Sequence, residues 1–397
     1  MKAKKNTIIV VVILVGFFTG FHVSSQTFEE YKKQQDAEFN KFKEENTRAY
    51  EAYVRKEKEG MEKLRKELEQ YWGEHGAKFS TKKEWVEYSD DKTTRTDVDF
   101  GKGSANVDVL LTPEEAANPE IVQQKLNDAI VDLVNSKGTV TDIGAGDEVA
   151  HKLQDKSVLD GQILNAAGQN VNGYNAVEFA GEVVGSGEIV TEEVDGSDGT
   201  LRVKASVSLM LAPDHVKLRA EKYEDEVHGY AVRFGLPHEL VYAIIETESS
   251  YNPKARSYIP AYGLMQIVPK FAGRDAFNYL YKMDTVVTAT YLYNPDNNIE
   301  LGTGYFKLLN KKYFHEVVDE ECRILCCVAA YNTGARNVYK AFKDCNGKSK
   351  VIAKINTMSY DELLENFKVN LPFKETRNYV VKVDTRMKNY KNWLTER

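Results

Sequence analysis

Proline and glycine are scarce in this chain. Nine Pro and 26 Gly among 397 residues make about 9%, which excludes a collagenous or low-complexity architecture. An overall basic excess is lacking too: 53 Lys and Arg stand against 60 Asp and Glu, so the electrostatic footprint of a general nucleic-acid binder is missing. The deficit is uneven. Residues 73–217 carry −13 and residues 218–397 carry +4, so the C-terminal part by itself suits an acidic polymer. Cysteine is confined to Cys322, Cys326, Cys327 and Cys345, without the CxxC spacing of structural zinc and with only His315 nearby. Buried helical thiols are the expected reading, with one disulfide to Cys345 left open, and no metal or cofactor is expected. Gly101-Lys102-Gly103-Ser104 lacks the preceding Gly of a phosphate loop, and Gly144-Ala145-Gly146 is a lone GxG of the kind found in turns. What the chain has in quantity, 42% hydrophobic residues over this length, excludes global disorder and predicts two or three domains.

The single long apolar run, Ile8 to Phe21, is short of the roughly 20 residues needed to cross a bilayer. Lys2, Lys4 and Lys5 precede it and Val23-Ser24-Ser25 follows, which predicts a signal peptide over residues 1–25, cleaved to leave a chain starting near Gln26. The expected location is the periplasm or cell envelope. No Cys follows the run to carry a lipid, so the exported protein is expected to be soluble or peripherally associated with a membrane.

Residues 26–79 read as a long amphipathic helical segment, one helix or two, with Phe28, Tyr31, Phe39, Phe42, Tyr50, Tyr53, Met61, Leu64, Leu68 and Tyr71 recurring every three or four positions. Its aromatic stripe is expected to pack on the next domain, a coiled-coil seam being the alternative. Residues 80–215 read as an α+β accessory domain. Glu84 to Tyr88 alternates, Val98-Asp99-Phe100 and Asn106 to Val109 flank a Gly-Lys-Gly turn, Pro119 to Asn135 is helical, and Leu201 to Val207 alternates again, with Gly-rich acidic loop material before it. From residue 218 to 397 helical periodicity dominates.

One helix of this mainly α part carries a chemically loaded position. It opens at Gly235-Leu236-Pro237 and stops at Asn252-Pro253. At about 100° per residue, Leu240, Val241, Ile244 and Ile245 define an apolar face, Glu248 falls in its middle and Glu246 falls opposite, toward solvent. Burial disfavours the charged form of a carboxyl and raises its pKa, as a general acid working near neutrality requires. On periodicity alone, a structural Glu paired with an Arg or a helix end is the better fit.

Glu248-Ser249-Ser250-Tyr251-Asn252-Pro253, followed by Ala255, Ser257 and Gly263-Leu264-Met265-Gln266, resembles the signature of lytic murein transglycosylases of the lysozyme-like (SLT) superfamily. Ala329-Ala330-Tyr331-Asn332-Thr333-Gly334 and Glu375-Thr376-Arg377-Asn378-Tyr379-Val380 resemble its two later motifs, in order, and the resemblance spans roughly residues 220–390. The N-terminal part, through Lys83 to Tyr88 and Val98-Asp99-Phe100, is similar to the N-terminal domain of membrane-bound lytic murein transglycosylase C. The fold this implies is an α+β N-terminal module with a long amphipathic helix, followed by a mainly α lysozyme-like catalytic domain.

The resemblance also implies cleavage of the MurNAc to GlcNAc β-1,4 bond of peptidoglycan glycan strands, with 1,6-anhydroMurNAc formed and Glu248 as the single acid and then base. Most glycosidases need two carboxylates flanking the bond, and here none lies between Glu248 and Asp275. Ser257 and Gln266 would hold the N-acetyl and sugar groups, Tyr331 and Asn332 would line the groove, and Tyr379 would reach toward Glu248; Met265 and Glu375 complete the expected substrate-binding set. Met265 equally suits a turn closing on the core, Asn332 a helix cap and Arg377 a bridge between helices. Pro260 and Thr333 depart from the family's usual Gly at their positions. A lysozyme-type hydrolase and a non-catalytic murein-binding envelope protein are the alternatives.

Overall fold

A computed structural model describes residues 28–397 except 142–149, 153–155 and 259. The expected signal peptide and the Gly144-Ala145-Gly146 turn lie outside the described residues. Helix α1 (Phe28–Trp72) is one continuous element, as its unbroken run of helix formers without Pro allows. Its residues through Glu45 form one unit and residues 46–397 another. The side chains of Phe28, Tyr31, Phe39 and Phe42 lie outside the described set, whereas those further along are seated: Leu64, Leu68, Tyr71 and Trp72 cluster with Phe79, Tyr88, Leu110 and Val194, and Tyr53 packs on the helical core.

The accessory region is an antiparallel sheet backed by helices. Its strands are β1 (Glu84–Tyr88), β2 (Thr94–Asp99), β3 (Ser104–Leu111), β6 (Val190–Asp195) and β7 (Leu201–Met210), in the order β1-β2-β3-β7-β6, with β4 (Thr139–Thr141) and β5 (Ala150–Lys152) as a separate ribbon. Val107 pairs with Val207 and Val109 with Ala205, so the period of two places these residues on one face. That face is covered by α3 (Pro119–Asn135), through Leu126, Ile130 and Leu133, and by α4 (Ala176–Ser186), with the short α2 (Pro113–Ala116) alongside. On the opposite face Arg95 lies 4.4 Å over the Trp72 ring of α1 and donates to Asp108 at 2.6 Å. Helix α4 and strand β6 occupy a stretch read as loop. Gly181 and Gly185 weaken the helical signal, and β6, at the sheet edge with Glu192 and Glu193 exposed, shows no apolar alternation.

The remainder is helical: α5 (His215–Glu221), α6 (Glu224–Phe234), α7 (His238–Ser249), α8 (Arg274–Tyr281), α9 (Ala289–Tyr293), α10 (Pro295–Leu309), α11 (Glu320–Thr333), α12 (Ala335–Tyr339), α13 (Lys348–Ile355), α14 (Tyr360–Asn370) and α15 (Lys374–Thr395). One continuous core runs through them, with α7 at its centre against α15. The four cysteines are free thiols; Cys322, Cys326 and Cys327 are buried on α11, where burial first of all raises the pKa of each.

Candidate active site

Glu248 sits in the last turn of α7, 6% exposed. The apolar residues that bury it are more numerous than one face: Tyr242 and Ala243 are buried along with Leu240, Val241, Ile244 and Ile245. A helix apolar on all sides belongs in a protein interior, and α15 covers the side that periodicity assigns to solvent. Glu246 is accordingly half-buried and takes a 2.6 Å hydrogen bond from Arg386 Nε, while Arg386 Nη1 donates to Thr247 Oγ1 at 2.8 Å. The expected exposed carboxylate is therefore a structural ion pair.

The chain reverses right after Glu248. Ser250 and Tyr251 are both left-handed, with φ of 51° and 62°. Three bonds hold that turn: the Ser249 hydroxyl donates to the Leu264 carbonyl at 2.8 Å, and the Tyr251 hydroxyl meets the Tyr242 carbonyl at 3.0 Å and the Tyr390 hydroxyl at 2.8 Å. Ser249 thereby ties the end of α7 to the Gly263 to Gln266 turn. Gly263 has φ of 73°, and a Cβ there would lie 2.3 Å from the Leu292 carbonyl oxygen, so no larger residue fits. Asn298, fully buried on α10, spans the turn by accepting from the Met265 amide at 2.7 Å and donating to the carbonyls of Tyr262 and Leu292 at 2.8 and 2.7 Å. The Met265 side chain is core, seated where a Cβ on Gly302 would strike its sulfur at 2.3 Å; what Met265 offers the site is its carbonyl, which accepts from the Tyr331 hydroxyl at 2.9 Å.

Burial is the main force on Glu248 and raises its pKa; the helix C-terminus, where negative charge is disfavoured, acts in the same direction. The Lys82 ammonium, 3.7 Å from Oε2, is the largest influence opposing it. Tyr379, in the second turn of α15, also favours the ionised form, although its buried hydroxyl has no partner within hydrogen-bonding distance among the described residues. Glu375, exposed one turn earlier, pushes back toward the protonated form. Tyr379 Oη and, on the Gly263 turn, Gln266 Oε1 are thus buried polar atoms without a hydrogen-bond partner among the described residues, Gln266 being a left-handed residue whose side-chain amide nitrogen donates to Gly263 O at 3.0 Å.

Residues 226–353 match the family model described as the transglycosylase SLT domain, and residues 44–222 match that of the membrane-bound lytic murein transglycosylase C N-terminal domain. Membrane-bound lytic murein transglycosylase C of Yersinia pestis (strain Pestoides F) is 30% identical over 330 residues, 82% of this chain and 87% of that protein, and its Yersinia pseudotuberculosis counterpart shows the same figures. The chain belongs to the lytic murein transglycosylase family. Similarity to solved structures is narrower. An inactive mutant of lytic transglycosylase Slt from Pseudomonas aeruginosa is 25% identical with a TM-score of 0.34, covering 44% of this chain and 24% of that one. The 70 kDa soluble lytic transglycosylase of Escherichia coli is 24% identical with a TM-score of 0.34, covering 43% and 24%.

Within this transglycosylase the residues singled out from sequence are distributed as follows. Glu248, Tyr379 and Tyr331 interact electrostatically with one another, and Gln266 adjoins the Met265 carbonyl that Tyr331 holds. Asn332 Oδ1 accepts from Thr376 at 2.7 Å, which bridges α11 to α15, and Arg377 donates to the Leu371 carbonyl at 2.6 Å. Ser257 is half-buried, and its backbone N–H donates to the Ala261 carbonyl at 3.1 Å. Sequence reasoning missed Lys82 and Lys83, which approach from the accessory region. Burial brings Lys83 down to about 8, helped by Arg386 and Lys382 and opposed by Glu246 and Glu248. The family-like stretch beginning at Lys83 was the only signal near them.

Proposed function

We propose that this lytic transglycosylase cleaves the β-1,4 bond between MurNAc and GlcNAc in peptidoglycan, with Glu248 as its acid and base. The observation that carries the reading is a carboxyl 6% exposed at the end of α7, raised by burial, beside an uncommitted tyrosine hydroxyl. Protonated Glu248 gives its proton to the glycosidic oxygen as that oxygen leaves C1 of MurNAc, and the N-acetyl group stabilises the cation. The Glu248 carboxylate then takes the proton of the MurNAc 6-hydroxyl while O6 bonds to C1. The acid is regenerated, no water is consumed, and the product is 1,6-anhydroMurNAc. Gln266 Oε1 accepts from an N–H or O–H of the sugar, Ser257 and Tyr331 border the glycan, and Met265 contributes through its backbone. The accessory region shapes the groove, and the work is done in the cell envelope.

A hydrolase reading rests on Glu375, the carboxylate whose charge reaches Glu248. Two carboxylates flanking the bond would let one activate water. Digestion of purified sacculi followed by mass spectrometry decides between the two. Transglycosylation yields ends lighter by one water than hydrolysis products, and the Glu375→Gln variant still makes them. Reducing ends alone, lost in Glu375→Gln, would replace the transglycosylase mechanism with the hydrolase.

A further inference from the structure

The loop leading into β1 is fastened to the segment following Glu248. The Thr81 hydroxyl accepts from the amide of Glu84 at 3.2 Å, closing a turn over residues 81–84. Asn252, fully buried, points its amide nitrogen into that turn, 3.3 to 3.4 Å from the carbonyls of Thr81, Lys82 and Glu84. Lys254 lies 5.5 Å over the Trp85 ring of β1. The Lys83 carbonyl accepts from Phe100 N at 2.9 Å, the Phe100 carbonyl from Arg219 at 2.8 Å, and Arg219 also donates to the Ser250 carbonyl at 3.0 Å. The turn is therefore held on both sides by groups that also hold the end of α7. This fastening aims Lys82, whose side chain is 40% exposed, at Glu248 Oε2.

We infer that the accessory region completes the active site by delivering Lys82 as the ammonium counter-ion of the Glu248 carboxylate. The inference rests on the transglycosylase reading above and adds a residue to it. In the first step Glu248 acquires negative charge inside an apolar setting, with Glu375 opposing that charge and Lys82 the strongest of the groups favouring it, ahead of Tyr379. A fixed ammonium at 3.7 Å stabilises the charge as it develops and holds the carboxylate in place until it accepts the 6-hydroxyl proton. Lys83 also feels the Glu248 charge but does not substitute for Lys82, because Arg386, Lys382 and Glu246 all act on it more strongly. Lys82 is a positioning and charge-tuning residue, acting through Glu248.

The test compares kcat/KM against pH on purified glycan strands for the full-length protein, Lys82→Met and Lys82→Arg, with thermal unfolding as the control for folding. An opposite charge this close favours a carboxylate by about tenfold or more, and solvent exposure keeps Lys82 at the low end. Lys82→Met should lose roughly tenfold near neutrality on that basis, with the alkaline limb displaced to higher pH because the carboxyl holds its proton longer. Lys82→Arg should restore both rate and limb. A Lys82→Met profile superimposable on that of the wild type overturns the inference, as does a loss that Lys82→Arg leaves unrepaired. If instead Glu248→Gln stays fully active, the underlying reading fails, a result distinguishable because it does not involve Lys82.

Discussion

Removing Arg219 should loosen the accessory region from the catalytic helix. Arg219 is 2% exposed on α5 and donates to four acceptors, one on its own helix and three from elsewhere in the chain: His215 Nδ1 at 2.9 Å, Phe100 O at 2.8 Å, Gln162 Oε1 at 2.7 Å and Ser250 O at 3.0 Å. His215 is held near 4, by burial first and then by the Arg219 charge, so it is neutral and able to accept. The Arg219 guanidinium also lies 4.8 Å over the Phe100 ring. Arg219→Met keeps much of the volume but strands the acceptors, each stranded buried group costing about 1 to 3 kcal/mol. Relief from burying a cation returns part of this, burial having brought Arg219 itself down to about 10. The expected net loss is about 3 to 5 kcal/mol, typical of breaking a buried charged network. In urea denaturation the midpoint should fall accordingly, and Tm by on the order of 10 °C at about 2 to 4 °C per kcal/mol for large domains. Arg219→Lys, lacking the planar fork, should lie between. Activity should fall more than stability at assay temperature explains, because Ser250 directly follows the helix carrying Glu248. A loss below about 1 kcal/mol with full activity would refute the keystone role.

Glu248→Gln keeps the shape without the transferable proton and should cost roughly 10² to 10⁴ in kcat on sacculi, measured by product release. It should also change the stability against pH in a defined sense. The folded carboxyl lies above its ordinary 4.5, so below that value wild type and variant should differ least. As pH rises the unfolded chain ionises first, wild type loses stability, and the advantage of Glu248→Gln should grow in urea titrations between pH 4 and 8. Tyr379→Phe removes a group favouring the Glu248 carboxylate, so the alkaline limb of kcat should move to higher pH; an unmoved limb would separate Tyr379 from the acid. Glu246→Gln breaks the 2.6 Å pair with Arg386, half-buried on both sides, and should destabilise by about 1 to 2 kcal/mol in denaturant titration while the product spectrum stays the same.

Much of this protein was legible in its residues because the deciding signals are local. A period of two marks β3 and β7, a period near 3.6 marks α1, α3 and α7, and the phase of Glu248 with Leu240, Val241, Ile244 and Ile245 follows from helix geometry alone. The Gly263 to Gln266 turn was legible through the family resemblance, whereas the left-handed backbone and the approach of the Leu292 carbonyl that require Gly there are seen only in the structure. Strand β6 escaped because an exposed acidic edge carries no apolar pattern, and helix α4 because Gly181 and Gly185 obscure the helical period that Ala176, Phe179, Ala180 and Val184 do carry.

Tertiary structure decided which charges meet. Periodicity places Glu246 opposite the apolar face but cannot know that α15 covers it and supplies Arg386. Nor does any local pattern announce that a turn at residues 81–84 is caught by Asn252, about 170 positions along the chain, with Lys82 thereby set against Glu248. The physical reason is range. Backbone propensity and side-chain phase act over a few residues, whereas ion pairs and buried hydrogen bonds depend on distances of a few ångströms in space, and those exist only once the sheet and the helices have docked.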